Sequence, residues 1–182
     1  MKTIFRTFIL IFLFFNQIGF SQENKKWIKA TIFTKTDTIQ GFVKTNSISF
    51  DSVKFKKNLD EPTEHLTPEL IEGYQTTDYL YQKKFIKKIG SFGYYKFGKL
   101  IDKGKFNLYE TTEQYSSSQN SILILEFNNQ IITFKFYTFQ KLKNKKKIAK
   151  ELDGYHLLQN IVLKRKFDYN SFIEEIKKLN SK

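Results

Sequence analysis

The sequence predicts an α+β fold, in which an antiparallel, strongly twisted sheet or open barrel of about seven to nine strands is followed by C-terminal helices. Apolar and polar residues alternate with a period of two over much of the chain before residue 139, which is typical of half-buried strands. Beyond residue 139 the apolar spacing becomes that of helices. We therefore expect a helical tail, residues about 140–182, to cover one face or end of the sheet.

Residues 1–21 have the features of a secretory signal peptide. Basic residues precede a short apolar run, and Gly19 and Ser21 supply the small residues of a cleavage site. A helix that spans a bilayer needs about 20 consecutive apolar residues, and this run is far shorter. We predict cleavage after Ser21 and export to the periplasm or the cell exterior. The mature chain, residues 22–182, is then expected to be one soluble β-rich domain with no integral membrane span.

Composition narrows the possible chemistry. The chain has no cysteine, which excludes disulfides and thiol nucleophiles. Its formal net charge of +13 attracts anionic glycans, lipid headgroups, nucleic acids and acidic proteins without selecting among them. Lysine carries nearly all of this charge, and lysine lacks the planar fork with which arginine recognises phosphate, so we do not expect a nucleic-acid partner. An AT-rich genome would produce the same lysine excess with no binding role, and it is the simpler origin.

The first part of the mature chain predicts a hairpin and a third strand. Apolar residues alternate over residues 27–34 and 39–43, and Thr36-Asp37 can form the turn between them. The alternation returns at residues 52–56. The acidic segment 58–72 contains both prolines, so we predict turns there, including one short helical turn.

Five further strands are predicted at residues 79–89, 94–101, 106–115, 122–127 and 130–139. The last two form the clearest local signal, a hairpin around Asn128-Asn129, because asparagine tolerates the positive φ that a two-residue turn requires. We expect this hairpin to lie at the centre of the sheet.

The C-terminal region predicts three helices. Apolar residues at helical spacing indicate a first helix that stops at Gly154, followed by a short helix at residues 155–163. The third helix has the better-defined start, since Ser171 and Glu174 have the spacing of a capping box. Its apolar stripe consists of Phe172, Ile176 and Leu179.

An aromatic and basic stretch, residues 91–99, is the best candidate for a binding surface. Exposed aromatic rings can stack on sugars while nearby ammonium groups hold an anion. The candidate binding residues are Tyr94, Tyr95, Lys96, Phe97 and Lys99, together with Lys143, Lys146 and Lys147 of a lysine-rich run. The simpler interpretations are that Tyr95 and Phe97 are core residues of a strand and that the lysine run is a solvated helix face.

No residue pattern identifies a reaction. His65 lies among the acids of segment 58–72, where a cation site is conceivable, but the spacing matches no known binding loop and an exposed acidic loop is the simpler interpretation. Glu110, Glu113 and Glu126 lie on predicted strands and could approach one another as the carboxylates of a glycosidase do. We predict no catalytic residue, no metal and no cofactor.

Several short motifs occur in a recognisable order along most of the mature chain. They are Asp37 to Gly41, Val53 to Lys56, Thr67 to Gly73, Lys103 to Tyr109, and Tyr169-Asn170. In this order they resemble a set of exported, functionally uncharacterised proteins of Bacteroidota, which have a β-rich domain and a helical C-terminal tail. The resemblance implies no activity and no catalytic residues.

The function predicted from these observations is that of a non-enzymatic envelope or secreted accessory protein, which binds a protein partner or an anionic glycan. The alternative is a carboxylate-dependent hydrolase acting in the periplasm, for which the scattered acidic residues are the only supporting observation.

Overall fold

The computed structural model describes residues 26–182, apart from residues 90–91, 116–117 and 138–140. The predicted signal peptide therefore lies outside the described residues. Within them, the chain forms ten strands of a curled antiparallel sheet, a two-residue strand at one edge, and three helices that follow the sheet.

The strands are β1 (Trp27–Phe33), β2 (Thr38–Lys44), β3 (Val53–Lys56), β4 (Glu64–Leu66), β5 (Gly73–Thr76), β6 (Leu80–Ile89), β7 (Phe92–Asp102), β8 (Asn107–Tyr115), β9 (Ser118–Phe127), β10 (Gln130–Tyr137) and β11 (Lys141–Leu142). The helices are α1 (Lys145–Glu151), α2 (His156–Leu163) and α3 (Tyr169–Asn180). The strand order across the sheet is β11-β10-β9-β8-β7-β6-β5-β1-β2-β3-β4. No described helix combines the length and the apolar content needed to cross a bilayer.

The predicted class, a curled antiparallel sheet followed by helices, is confirmed, whereas the count of seven to nine strands is wrong. β4 and β5 account for much of the difference, since they have three and four residues and lie in or next to the segment predicted as turns. Strands this short span too few residues to show a period of two. β5 nevertheless lies inside the sheet, between β1 and β6.

The hairpin of β9 and β10 has the predicted turn but not the predicted place. Asn128 and Asn129 adopt φ values of 46° and 60°, and Phe127 pairs with Gln130 across the turn. The hairpin lies near one end of the sheet rather than at its centre. Its strands are rich in apolar residues because helices cover one of their faces. A high apolar content therefore indicates that a strand is buried, but it does not indicate where the strand lies in the sheet.

The helix core is the largest apolar cluster, and it joins α1–α3 to β8–β10. Leu123 and Leu125 of β9 and Phe134 of β10 are fully buried on this face. Phe172 of α3 packs on Phe134 with 4.9 Å between ring centroids, and the predicted apolar stripe of α3 is thereby confirmed. Burial of this stripe fixes the helical tail to the sheet.

A second apolar core is formed by β1–β7, on the same face of the sheet. Val43, Val53, Tyr74 and Phe97 are fully buried there. The backbone N–H of Phe97 in β7 donates to the carbonyl of Phe50, which follows β2, at 2.7 Å. Since β2 and β7 are four places apart in the strand order, this bond requires the sheet to curl around the second core.

Strands β6–β10 curl in the opposite sense and form a half-barrel. Lys84 of β6 reaches Glu126 of β9 at 2.7 Å, and the Lys135 ammonium of β10 donates to the carbonyl of Lys87 of β6 at 2.9 Å. These contacts join strands three and four places apart. The interior of the half-barrel holds a third, small apolar cluster made of Ile86, Tyr109, Ile122 and Ile124.

The start of α3 differs from the prediction. Asp168 caps the helix by accepting bonds from the Ser171 N–H at 3.1 Å and from the Ser171 hydroxyl at 2.6 Å. Ser171 is therefore the third residue of the helix and a donor to the cap, and the predicted capping box with Glu174 is wrong. Asp, Asn and Ser are all effective caps, and Asp168-Tyr169-Asn170-Ser171 contains three such residues in four positions. The spacing to Glu174 therefore favoured Ser171 over Asp168, which is the actual cap.

Candidate functional site

The aromatic and basic residues predicted to bind a ligand are divided between the two faces of β7. Tyr94 and Lys96 lie on the half-barrel face of β7. The Tyr94 hydroxyl donates to Glu113 at 2.7 Å, and the Lys96 ammonium lies 2.9 Å from Asp51, an exposed residue of the β2–β3 connection. Alternate residues of a strand point to opposite faces, so Tyr95, Phe97 and Lys99 lie on the other face. The stretch therefore does not form one binding surface.

The three residues on the second face have different environments. Phe97 is fully buried in the second core, as the simpler interpretation predicts. Tyr95 is 43% exposed, so the core interpretation is wrong for that residue. Lys99 places its ammonium 3.5 Å from the ring centroid of Tyr79, which is itself exposed.

An exposed aromatic patch forms where Tyr95 lies directly opposite Phe85 across β6 and β7. We define the aromatic patch as Phe85, Tyr95, Lys83 and Lys87. The two rings are 5.3 Å apart, and Phe85 is 45% exposed. The Lys83 ammonium lies 4.6 Å from the Tyr95 ring centroid and 3.2 Å from a carboxylate oxygen of Glu72. The patch thus combines two accessible rings with a cation held against one of them.

The local sequence explains why the patch is exposed. β7 pairs with β8 only from Lys99 to Asp102, so the earlier part of β7 pairs only with β6 and projects beyond the region that the helices cover. Gly93 lies beside Phe85, and the Phe85 ring rests on its backbone, in space that a Cβ at Gly93 would occupy. A glycine at this position lets the ring lie flat on the strand.

The lysine-rich run borders and enters α1. Lys143, Lys146 and Lys147 are exposed, and Lys147 lies 3.8 Å from Glu151 in a weak pair along the helix. Lys145 instead turns toward the end of α2, where its ammonium donates to two backbone carbonyls at 2.5 and 3.1 Å. The exposed face of α1 is therefore basic and solvated.

The three candidate acids do not form a catalytic pair. Glu110 lies on the helix-covered face and accepts a bond from the Tyr169 hydroxyl at 3.2 Å. Glu113 and Glu126 point into the half-barrel. In the β8–β9 ladder Glu113 pairs with Asn120 and Glu126 pairs with Asn107, so the two acids are six residues apart along the strands. At about 3.3 Å per residue this is about 20 Å, whereas glycosidase carboxylates are separated by about 5–10 Å.

The charged groups inside the half-barrel are bound to one another. Lys84 is paired with Glu126, and burial lowers the Lys84 pKa while that carboxylate opposes the shift. Burial, and then the nearby charge of Glu126, raises the pKa of Tyr109. Lys135 lies 3.6 Å from Glu113, which is 6% exposed. These pairs hold strands together and leave no free nucleophile or base among them.

Metal-binding geometry is not found in the part of the chain that the structure describes. No group of three or more His, Asp or Glu side chains converges there. His65 lies in β4 opposite Lys54 of β3, so the neighbouring strand places a cation beside it. This arrangement opposes the binding of a metal ion at His65.

Sequence reasoning missed a cleft at the end of the β9–β10 hairpin. It is lined by Lys105, by the hairpin turn, and by the connection between α1 and α2, which includes Asp153 and Tyr155. These residues come from three distant segments, so no local pattern could indicate the cleft. The only local signals were the turn at Asn128-Asn129 and the helix stop at Gly154, whose φ is 82°.

Searches of protein-family models, curated proteins and solved structures find no match to the chain. The resemblance to exported proteins of Bacteroidota therefore stays a prediction.

Proposed function

We propose that this chain is an exported, non-enzymatic accessory protein that binds an anionic glycan through the aromatic patch. The observation that carries the proposal is the pair of contacting, partly exposed rings, Phe85 and Tyr95, with the Lys83 ammonium against Tyr95. Burying these rings in the protein would be favourable, so their exposure at the surface favours a ligand that covers them.

The chemistry of the patch suits a sugar that carries a negative charge. The apolar face of a pyranose ring can lie on an aromatic side chain, as bases do on single-strand-binding proteins. Lys87 is exposed beside the rings and can pair with a carboxylate or sulfate of the ligand. Without Lys2 and Arg6 of the predicted signal peptide the net charge is +11, and it adds a long-range attraction that concentrates polyanions near the surface.

The described geometry gives the hydrolase alternative no comparable support. Of its candidate acids, Glu110 faces the helices, and the other two are about 20 Å apart by ladder register. A glycan would therefore be bound at the patch and released unchanged.

The test compares polysaccharides and variants in parallel. The mature chain is titrated with polygalacturonate and with neutral dextran, and binding is followed calorimetrically. We expect binding to polygalacturonate, weaker binding to dextran, and a loss of about tenfold or more in polygalacturonate affinity for the double variant Phe85→Ala/Tyr95→Ala, as expected when ring stacking worth about 1–3 kcal/mol is removed.

Two controls separate stacking from general charge attraction. Leu163→Ala removes an apolar side chain of similar exposure, 49%, at the end of α2 and should leave the affinity unchanged. Charge reversal of Lys143, Lys146 and Lys147 should reduce the affinity mainly at low salt, because solvent-exposed charges are screened. If the aromatic double variant binds polygalacturonate as the wild type does, the patch is not the glycan site; if neither polysaccharide binds, the proposal is wrong.

A further inference from the structure

The cleft at the end of the β9–β10 hairpin is separate from the aromatic patch and has a different character. It is open to solvent and has a volume of about 760 Å³ between the hairpin turn, Lys105, and the end of α1. Sites for small molecules typically have volumes of about 300–1,000 Å³. The cleft is therefore large enough for a ligand of the size of an amino acid or a short peptide.

Charges of both signs line this cleft without neutralising one another. Lys105, Lys150, Glu151 and Asp153 are all exposed and contribute to its lining, and of these Glu151 lies 3.8 Å from Lys147 outside the cleft. Within the described residues, no ion pair joins Asp153 to either lysine, and neither lysine is paired with another carboxylate. Lys105 instead lies near an aromatic ring, 5.4 Å from the centroid of Tyr155.

An apolar wall stands beside these charges. Ile131 lines the cleft with 66% of its surface exposed. Tyr155 is half-buried and meets Phe127 edge to face, with centroids 5.7 Å apart, so its ring is held in position. A ligand in the cleft can thus cover an exposed isoleucine as well as bind charged groups.

We propose that the cleft binds a small zwitterionic ligand, namely an amino acid or a short peptide with free termini. Lys105 and Lys150 bind its carboxylate, Asp153 binds its ammonium group, and its apolar side chain lies against Ile131 and Tyr155. An anionic sugar fits less well, because it could pair with Lys105 and Lys150 but would leave Asp153 without a cationic partner and close to a like charge. A neutral sugar would leave all three charged side chains without counterions.

The test uses three forms of one dipeptide with the full mature chain. Ala-Phe with free termini, N-acetyl-Ala-Phe and Ala-Phe amide are titrated while amide chemical shifts of the protein are recorded by NMR. We expect the free dipeptide to bind about tenfold or more tightly than either blocked form, because each block removes one charge-assisted interaction.

Variants assign each interaction to its residue. Asp153→Asn should lower the affinity for the free dipeptide to that for the N-acetyl form, and should leave the N-acetyl form unaffected. The double variant Lys105→Gln/Lys150→Gln should abolish the preference for the free carboxylate over the amide. Lys146→Gln, an exposed lysine of the same helix that does not line the cleft, is the matched control and should change none of the three affinities.

Several results would overturn this inference. It is wrong if the three forms bind equally, if none saturates the protein, or if Asp153→Asn weakens all three forms alike. Because the aromatic patch is untouched by these variants, polygalacturonate binding is measured on the same samples, and failure at one site is distinguishable from failure at the other.

Discussion

Asn128 and Asn129 show how single residues determine the local backbone. Both have positive φ, which costs an ordinary L-residue roughly 1–2 kcal/mol and costs asparagine less. We expect Asn129→Val to lower the free energy of unfolding by about 1–2 kcal/mol, because a branched Cβ is poorly tolerated in this region. Asn129→Gly is the control and should be neutral or slightly stabilising. Urea unfolding of both variants measures the difference, and equal stabilities would contradict the assignment of the turn.

Single residues also differ in how well their conformation and exposure can be predicted from the sequence. The turn at Asn128-Asn129 was predictable because its conformation depends on two neighbouring side chains and little else. The exposure of Tyr95 was not predictable, because Tyr95 and Phe97 are both aromatic and point to the same face of one strand. Phe97 is buried and Tyr95 is exposed because the second core reaches only one of them, and that depends on strands distant in sequence.

At the scale of the element, the start of α3 makes stability depend on pH. Hydrogen bonds from the Ser171 hydroxyl and N–H lower the pKa of Asp168, so folding favours its ionised form. The stabilisation is fully present above the unfolded pKa of about 3.9, and is lost as the pH falls through the lower folded value. We expect Asp168→Ala to lower the Tm at neutral pH, with a difference from the wild type that shrinks in acid.

A matched variant distinguishes the observed cap from the capping box that the sequence suggested. Glu174→Ala removes the acid of the predicted box, and because Glu174 does not cap the helix, it should leave the pH dependence of Tm unchanged. Thermal unfolding followed by circular dichroism at several pH values checks both variants. The assignment of Asp168 fails if its substitution lowers Tm by the same amount at every pH, or if Glu174→Ala reproduces the effect.

Elements differ in how well their sequences reveal them. α3 was predictable as a helix since Phe172, Ile176 and Leu179 repeat at helical spacing over about two turns. β5 was not, although it lies inside the sheet, because the four residues Gly73–Thr76 have no measurable period and begin with a glycine. Such a strand is specified by its neighbours β1 and β6, which present the backbone groups that it pairs with.

At the scale of the whole molecule, the curvature of the sheet depends on side chains that meet across non-adjacent strands. Lys84 and Glu126 meet although two strands separate theirs, and Lys135 reaches the carbonyl of Lys87 across three. Nothing in the local sequence of any one strand indicates these pairs. The half-barrel they close also sets where the β6–β7 hairpin projects, and thereby where the aromatic patch is displayed.

Substitutions of the Lys84–Glu126 pair test whether side-chain contacts across non-adjacent strands stabilise the curled sheet. Its side chains are only 12% and 24% exposed, so removing one partner leaves the other charge poorly solvated. We expect Glu126→Leu and Lys84→Met each to lower the free energy of unfolding by about 2 kcal/mol, less than the 3–5 kcal/mol typical of fully buried pairs.

The double variant Lys84→Met/Glu126→Leu removes both charges, and it should therefore recover most of this loss and unfold within about 1 kcal/mol of the wild type. The exposed pair of Lys147 and Glu151 is the control, and its single variants should cost no more than about 0.5 kcal/mol. Urea unfolding of the full cycle measures the coupling energy. If the two single losses simply add in the double variant, the pair does not act as a unit and does not hold the half-barrel closed.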